Sequence, residues 1–421
     1  MDATKLYSDK SEKPKASKMR SFILWSLAVL PVAVVAYFTD IPESFNDTAA
    51  IWAYMSYGDP SVAVLPGSFN RSTMDAIYKG HATDSELQKR NAFLNTTNFI
   101  AYDKRFMNII GSKATVKQVQ NLAFQSHEAP CFNKKTKELF FVEWGPPGGE
   151  NGTHSWQYLL DTKNNTLRKI TTNPPTLNAH GCVYYHGAYH VVTDGSHNET
   201  GALIRIDPTT LEKTVLLNNY YEQPFAGLND LEIDSHGNLW FTDSKSGWGR
   251  DLTDYTPPTN PTVYMVNGTT MRPRVVHIST GNANGVAVSP LQDGRHVLYL
   301  PDTGVSEAKP VDRKNPYGNR ALFAYDVAAG GFLTNARFLN NPISYFYDGI
   351  RVSRNGWIFV GAGDGVDVID PVSGLALGTI RVGGGSNLAV NMAFGENELW
   401  IVGRGGVWHV SGVAERLDRD W

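Results

Sequence analysis

At 421 residues the chain has room for more than one domain, although all-β architectures of this size can fold as one. A hydrophobic fraction of 42%, 39 glycines and abundant Trp, Tyr and Phe argue against disorder and suit short strands joined by tight turns. The net charge is −3 and the basic residues form no stripe that could track a phosphate backbone, which argues against nucleic acid as a partner.

Residues 1–20 form a basic head containing Lys5, Lys10, Lys13, Lys15, Lys18 and Arg20. The run at 21–39, SFILWSLAVLPVAVVAYFT, carries no charge and is close to the shortest length that spans a bilayer. Positive charge in front of it predicts a cytosolic N-terminus and a lumenal or extracellular remainder. A second reading starts the chain at Met19 and makes the same run a signal peptide, with Val34 and Ala36 at the cleavage positions. Both readings place the protein in the secretory pathway, as a single-pass membrane protein or a secreted one. Seven N-x-S/T sequons, at Asn46, Asn70, Asn95, Asn151, Asn164, Asn198 and Asn267, fit that route and predict N-glycans. The only two cysteines, Cys131 and Cys182, lie in apolar strand-like runs. A small buried thiol is the simpler reading of each, and an oxidising lumen leaves a disulfide open.

Residues 40–111 show no sustained alternation and read as a linker and covering segment, with one capped helical stretch beginning at Asp84. From Ser112 onward a unit repeats about every 50 residues. Asn178-AHGCVYYHGAYHVVTD, Leu228-NDLEIDSHGNLWFTD, Asn284-GVAVSPLQDGRHVLYLPD, Tyr347-DGIRVSRNGWIFVGAGD and Asn391-MAFGENELWIVG align without forcing, and Glu128-APCFNKKTKELFFVEW is the first copy. Each reads as an apolar strand, a turn and a second strand, followed in most copies by two further strands. These units predict an all-β fold: a six-bladed β-propeller over 112–421, with an N-terminal membrane or signal segment and a short irregular extension. Lys113-ATVKQVQ is the strand expected to close the ring by completing the last blade.

In a propeller the innermost strands line the central channel, so equivalent positions of successive repeats converge. Register places Glu128, His180, Asn229 or Asp230, Asn284, Asp348 and Asn391 there, nearly all of them oxygen donors. Such donors suit a hard divalent cation, calcium first, with zinc and manganese as the other candidates. A single Asn in such a place is more often a turn residue; the recurrence of the set just before buried strands favours a site.

These residues resemble the senescence-marker-protein/gluconolactonase family of six-bladed propellers, with the fungal lactonohydrolases as a similar branch. The resemblance covers about 112–412. It rests on Ser126-His-Glu128-Ala-Pro in blade one, Leu228-Asn229-Asp230 before an apolar strand and D-x-x-G in blade three, Asn284-Gly285 in blade four and Asp348-Gly349 in blade five. It implies hydrolysis of a small lactone, with one cation held by Glu128, Asn229, Asn284 and Asp348. It also implies that Asp348 doubles as general base. His180 is similar to a channel histidine of the related paraoxonase group, which implies a part in proton transfer. Two departures limit the transfer. The arginine that precedes the blade-three Asn by two residues in animal gluconolactonases is Gly227, and the acidic residue that follows the blade-one Glu in paraoxonases is Ala129. The second favours one metal over two. Trp144, His127 and Tyr345 are candidates for shaping specificity at the mouth, with rim packing equally consistent. The other classes weighed are a non-catalytic propeller that binds a ligand or partner, and a synthase propeller, which lacks this metal set. A serine-triad hydrolase is disfavoured, since the repeat region has no G-x-S-x-G elbow.

Overall fold

The structure is a computed structural model that describes residues 41–70, 78, 80–122, 125–144, 155–244, 246–254, 260–291, 293–307, 313–384 and 386–420. The side chains of 125–127, 144, 313 and 314 are outside the description. The basic head and the apolar run at 21–39 lie outside the described residues, and among those described no helix is long and apolar enough to cross a membrane.

Among the described residues, six sheets of four or more strands, each built on four antiparallel strands, follow one another along the chain. Blade one comprises Gln125–Asn133, Glu138–Trp144, Ser155–Asp161 and Thr166–Ile170, and blade two Ala179–Tyr185, Ala188–Thr193, Leu203–Ile206 and Lys213–Leu217. Blade three is Leu228–Ile233, Leu239–Asp243, Thr262–Val266 and Pro273–Ile278, and blade four is Ala287–Val288, His296–Asp302, Ala321–Val327 and Leu333–Asn340. Blade five contains Ile350–Val352, Ile358–Gly361, Gly365–Ile369 and Ala376–Arg381. Blade six contains Asn391–Phe394, Leu399–Gly403 and Gly406–Ser411, completed by the early strand Thr115–Gln120. That strand pairs antiparallel with Gly406–Ser411, from Thr115 opposite Ser411 to Gln120 opposite Val407. The expected closure is therefore formed, and the first strand of each blade lies against that of the next all the way round.

The apolar runs make sense once each blade is seen to be covered on both faces. In Glu138–Trp144, Phe140 and Val142 pack with Cys131, Cys182 and Tyr189 toward blade two, while Leu139 and Phe141 pack with Trp400 and Val402 toward blade six. A strand with two buried faces needs an uninterrupted apolar run rather than alternation. Full burial of each such side chain stabilises by about 1.5–3 kcal/mol. The outermost strand Leu333–Asn340 is mostly exposed and mixes polar with apolar residues.

The described residues of 41–111 contribute to the ring itself. Phe99–Ala101 adds antiparallel to the outer edge of blade five, and Trp52–Tyr54 adds parallel to Phe99–Ala101, giving that blade six strands. Trp52 stacks on Phe99 with ring centroids 4.4 Å apart. The helix Ser85–Thr96 starts where the sequence places it, because the Asp84 carboxylate accepts from the backbone N–H of Glu86 and Leu87.

Cys131 and Cys182 form a disulfide, which corrects the simpler reading of two buried thiols. They occupy the innermost strands of neighbouring blades, so adjacency in the ring, invisible in a spacing of 51 residues, brings the sulfurs together. On the other face of the ring the C-terminal segment acts as a stitch. Arg419 bonds the Glu232 carboxylate and the Val288 carbonyl, Lys134 pairs with Asp418, and Arg354 pairs with Asp420.

Candidate active site

The innermost strands begin on one face of the propeller, and there the repeat pattern delivers its donors. Glu128, His180, Asn229, Asn284 and Asp348 all line one cavity of about 990 Å³. Each is buried, with 1% of Glu128 and 9% of Asp348 exposed. All five sequence-derived site residues thus meet, from five different blades.

The glycines that follow several donors explain the dipeptide pattern. A Cβ on Gly181, after His180, would lie 2.7 Å from the Asn229 carbonyl oxygen; one on Gly285, after Asn284, 2.4 Å from the Asp348 carbonyl oxygen; one on Gly349, after Asp348, 2.0 Å from Asn391 Cγ. The donor-bearing segment of the next blade passes over each glycine, so no side chain fits.

Hydrogen bonds hold the donors in place. Asn391 Nδ2 donates to Glu128 Oε2 at 2.7 Å, while Glu128 Oε1 lies 4.0 Å from His180 Nε2. Asn229 Nδ2 lies 3.0 Å from His180 Nε2, and His180 Nδ1 lies 2.8 Å from Asp194 Oδ2. Asn284 Nδ2 reaches Thr303 Oγ1 at 3.4 Å, and Asn284 Oδ1 is buried without a hydrogen-bond partner. Beneath the donors, Arg351 bridges blades five and three through both carboxylate oxygens of Asp230 at 3.0 and 3.3 Å, and it also donates to the Cys182 carbonyl.

The electrostatics call for positive charge. Burial first, and then the neighbouring carboxylates Asp348 and Asp230, push Glu128 well above the usual range. Burial pushes Asp348 up to about 7, against the Arg250 guanidinium, which favours its charged form. Asp230 is likewise raised by burial, with Arg351 opposing. The residues fit a divalent cation: two crowded carboxylates, two amide oxygens, and at Asn284 a buried oxygen that nothing in the protein satisfies. Glu128, Asn229, Asn284 and Asp348 would hold it.

A second group, Asp234, His236 and His296, has ligand atoms within 4.8 Å of one another at the opposite ends of the innermost strands. The Asp234 carboxylate and both His296 ring nitrogens are already engaged. Asp234 accepts from the backbone N–H of His236 and Asn238 and from the side chains of Asn238 and Trp240, and His296 bonds the Ser289 carbonyl and the Ser235 hydroxyl. Asp234 thereby serves a turn of the D-x-x-G type.

Several cavity residues were missed by sequence reasoning. Ser246 and Arg250 come from the short helix Ser246–Gly249 and the residue that follows it, and Asp194, just past the second strand of blade two, is buried against His180. Arg250 lines the cavity wall, whereas Gly227, the position of an arginine in the animal gluconolactonases, has no room for a side chain. The reason is steric: Gly227 has φ +147°, and a Cβ there would lie 2.3 Å from the Gly247 nitrogen, so the helix that delivers Arg250 excludes a side chain at 227. The recurrent Asp that ends the second strand (Asp194, Asp243, Asp302, Asp364) was a signal available in the repeats. Tyr345 does not line the cavity; its ring packs on Phe346, which does, with centroids 3.9 Å apart. The His127 and Trp144 side chains lie outside those described.

Comparison with known proteins agrees with this architecture. Residues 128–402 match the family described as SMP-30/Gluconolactonase/LRE-like region. Lactonohydrolase oryL from Aspergillus oryzae is 28% identical over 389 residues, covering 86% of this chain and 85% of the relative. A gluconolactonase from Xanthomonas campestris superposes with a TM-score of 0.60 at 20% identity, over 74% of this chain and 93% of its own. A calcium-binding protein, regucalcin, from Agrobacterium tumefaciens superposes with a TM-score of 0.53 at 16% identity, over 72% and 96%.

Proposed function

Because the chain belongs to the SMP-30/gluconolactonase/LRE-like family, we propose that it is a hydrolase that opens a small lactone, aldonolactone-like or alkyl, with one divalent cation at the hub. Calcium is the first candidate, ahead of zinc and manganese. The observation that carries this reading is the meeting of Glu128, Asn229, Asn284 and Asp348 in one cavity, with the Asn284 oxygen buried and unsatisfied. The relatives named lactonohydrolase and gluconolactonase support the reaction class, and the calcium-binding neighbour supports the choice of ion.

A hard cation held by such oxygens polarises an ester carbonyl and makes nearby water a better nucleophile. The protein's own contribution is positional and protic. Asp348 takes a proton from water as the water oxygen bonds to the lactone carbonyl carbon. The ring C–O bond then breaks, and the departing oxygen recovers the proton as a hydroxyl. Asn391 keeps Glu128 fixed through the 2.7 Å bond. Arg250, Thr303 and Asn319 give the cavity wall groups that can bind the oxygens of a polar substrate.

The test is turnover of a panel of aldonolactones and alkyl lactones by pH-stat. Removal of metal should abolish hydrolysis and added calcium restore it, and Asp348→Asn should lower kcat by about 10²–10⁴-fold with the fold intact. Full activity in the metal-free protein overturns the mechanism. Tight cation binding with no turnover of any lactone favours a ligand-binding propeller instead. We also propose a secretory location, tethered through 21–39 or released by cleavage there, supported by the Cys131–Cys182 disulfide and the exposed sequons.

A further inference from the structure

An asparagine amide has two ends of nearly equal shape, and only the carbonyl end serves a cation. Something at the hub must decide which way Asn229 is turned. Its Nδ2 lies 3.0 Å from His180 Nε2. That contact is a hydrogen bond when Nε2 offers its lone pair, which puts the ring hydrogen on Nδ1. His180 Nδ1 lies 2.8 Å from Asp194 Oδ2, and a carboxylate can only accept. Asp194 is held in turn: it is fully buried, its Oδ1 accepts from the Ser246 hydroxyl, and the Arg250 guanidinium lies 3.6 Å from Oδ2.

The corresponding aspartates of the next two blades do something else. Asp243 accepts from the Ala226 backbone N–H, and Asp302 from those of Asn282 and Gly304. Asp194 is the copy whose carboxylate faces a histidine, and that histidine sits on a hub donor.

We propose that Asp194, acting through His180, is the positioning residue that turns the Asn229 carbonyl oxygen toward the cation. The relay runs from carboxylate to imidazole to amide, and each link fixes the direction of the next hydrogen bond. It gives His180 a positioning role in place of the proton transfer expected of it, because the Nε2 lone pair is engaged by Asn229. This inference rests on the cation reading above.

The probe is calcium alone, titrated calorimetrically into the metal-stripped full-length protein. In Asp194→Asn the new amide can donate to His180 Nδ1, which moves the ring hydrogen to Nε2 and turns the Asn229 nitrogen toward the ion. Calcium affinity should fall about 10–100-fold. In an Asn229→Asp background, where either carboxylate oxygen can face the ion, the same change should cost no more than about threefold. Nitrogen-15 spectra of the histidines should show His180 passing from the Nδ1–H to the Nε2–H tautomer in Asp194→Asn. Equal losses in both backgrounds, or an unchanged affinity in Asp194→Asn, overturn the proposal while leaving the cation site standing. Absence of calcium binding by the unaltered protein overturns both. If near-UV circular dichroism shows Asp194→Asn unfolded, His180→Ala in the same two backgrounds gives the same comparison, with the same outcomes expected and excluded.

Discussion

Asp367 illustrates how a carboxyl far from the hub responds to burial. It is 1% exposed, accepts from the Thr379 hydroxyl at 2.6 Å, and is pushed up to about 7 by burial, with Thr379 opposing and the Asp364 carboxylate adding to the rise. The folded protein therefore holds this proton more tightly than the unfolded chain. The contribution is fully present below the unfolded carboxyl's pKa of about 4, and it is lost as pH rises to about 7. Asp367→Asn removes the penalty of burying a charge, so it should raise the melting temperature at pH 8 by roughly 2–6 °C and change it little at pH 4. Scanning calorimetry at the two pH values checks this; an equal shift at both would mean that packing, not ionisation, is responsible. Asp367 lies in an unremarkable strand, Gly365–Ile369, and its environment becomes visible only when the neighbouring strands are in place.

The strand openings carry the next level of information. In the sequence Asn284-Gly285 and Asp348-Gly349 are ordinary dipeptides, and only their order along six repeats gives them weight. The structure supplies the cause: the glycine is the point where the following blade crosses. Gly349→Ala would place a methyl 2.0 Å from Asn391 Cγ, in a core with no slack, and should cost about 1–3 kcal/mol or more in urea unfolding. It should also weaken the cation site, because Asn391 holds Glu128. Gly58→Ala, whose Cβ would meet nothing closer than 3.4 Å, should be near neutral in the same measurement. A comparable loss in the two variants would remove the crossing as the reason for the glycine.

Across the whole molecule, closure and covalent cross-linking work together. Thr115–Gln120 zips blade six shut and the disulfide ties blade one to blade two. Asn151 lies outside the described residues, and the other six sequons divide by environment. Asn46, Asn70, Asn164, Asn198 and Asn267 are exposed, whereas Asn95 is half-buried and its Nδ2 donates to the Tyr78 carbonyl at 2.9 Å. Protein made in a secretory host should carry glycans at Asn164 and Asn198 and none at Asn95, as read by mass spectrometry of deglycosylated peptides. Complete absence of glycans would contradict the secretory location. Occupancy at Asn95 would contradict the packing of that amide.

Repetition was legible without coordinates because a propeller imposes the same demands on every blade: an apolar run covered on both faces, a turn, and a donor at the strand opening. Six blades, the closing strand and the set of hub positions follow from that periodicity, and the family resemblance then selected Glu128, Asn229, Asn284 and Asp348 among them. What depends on neighbours around the ring was not legible. The Cys131–Cys182 bond and the Arg351–Asp230 bridge across 121 residues are contacts between different repeats. Periodicity fixes what each blade presents, but side-chain partners across blades are set by the angle and depth at which the blades meet, and only the closed ring defines those.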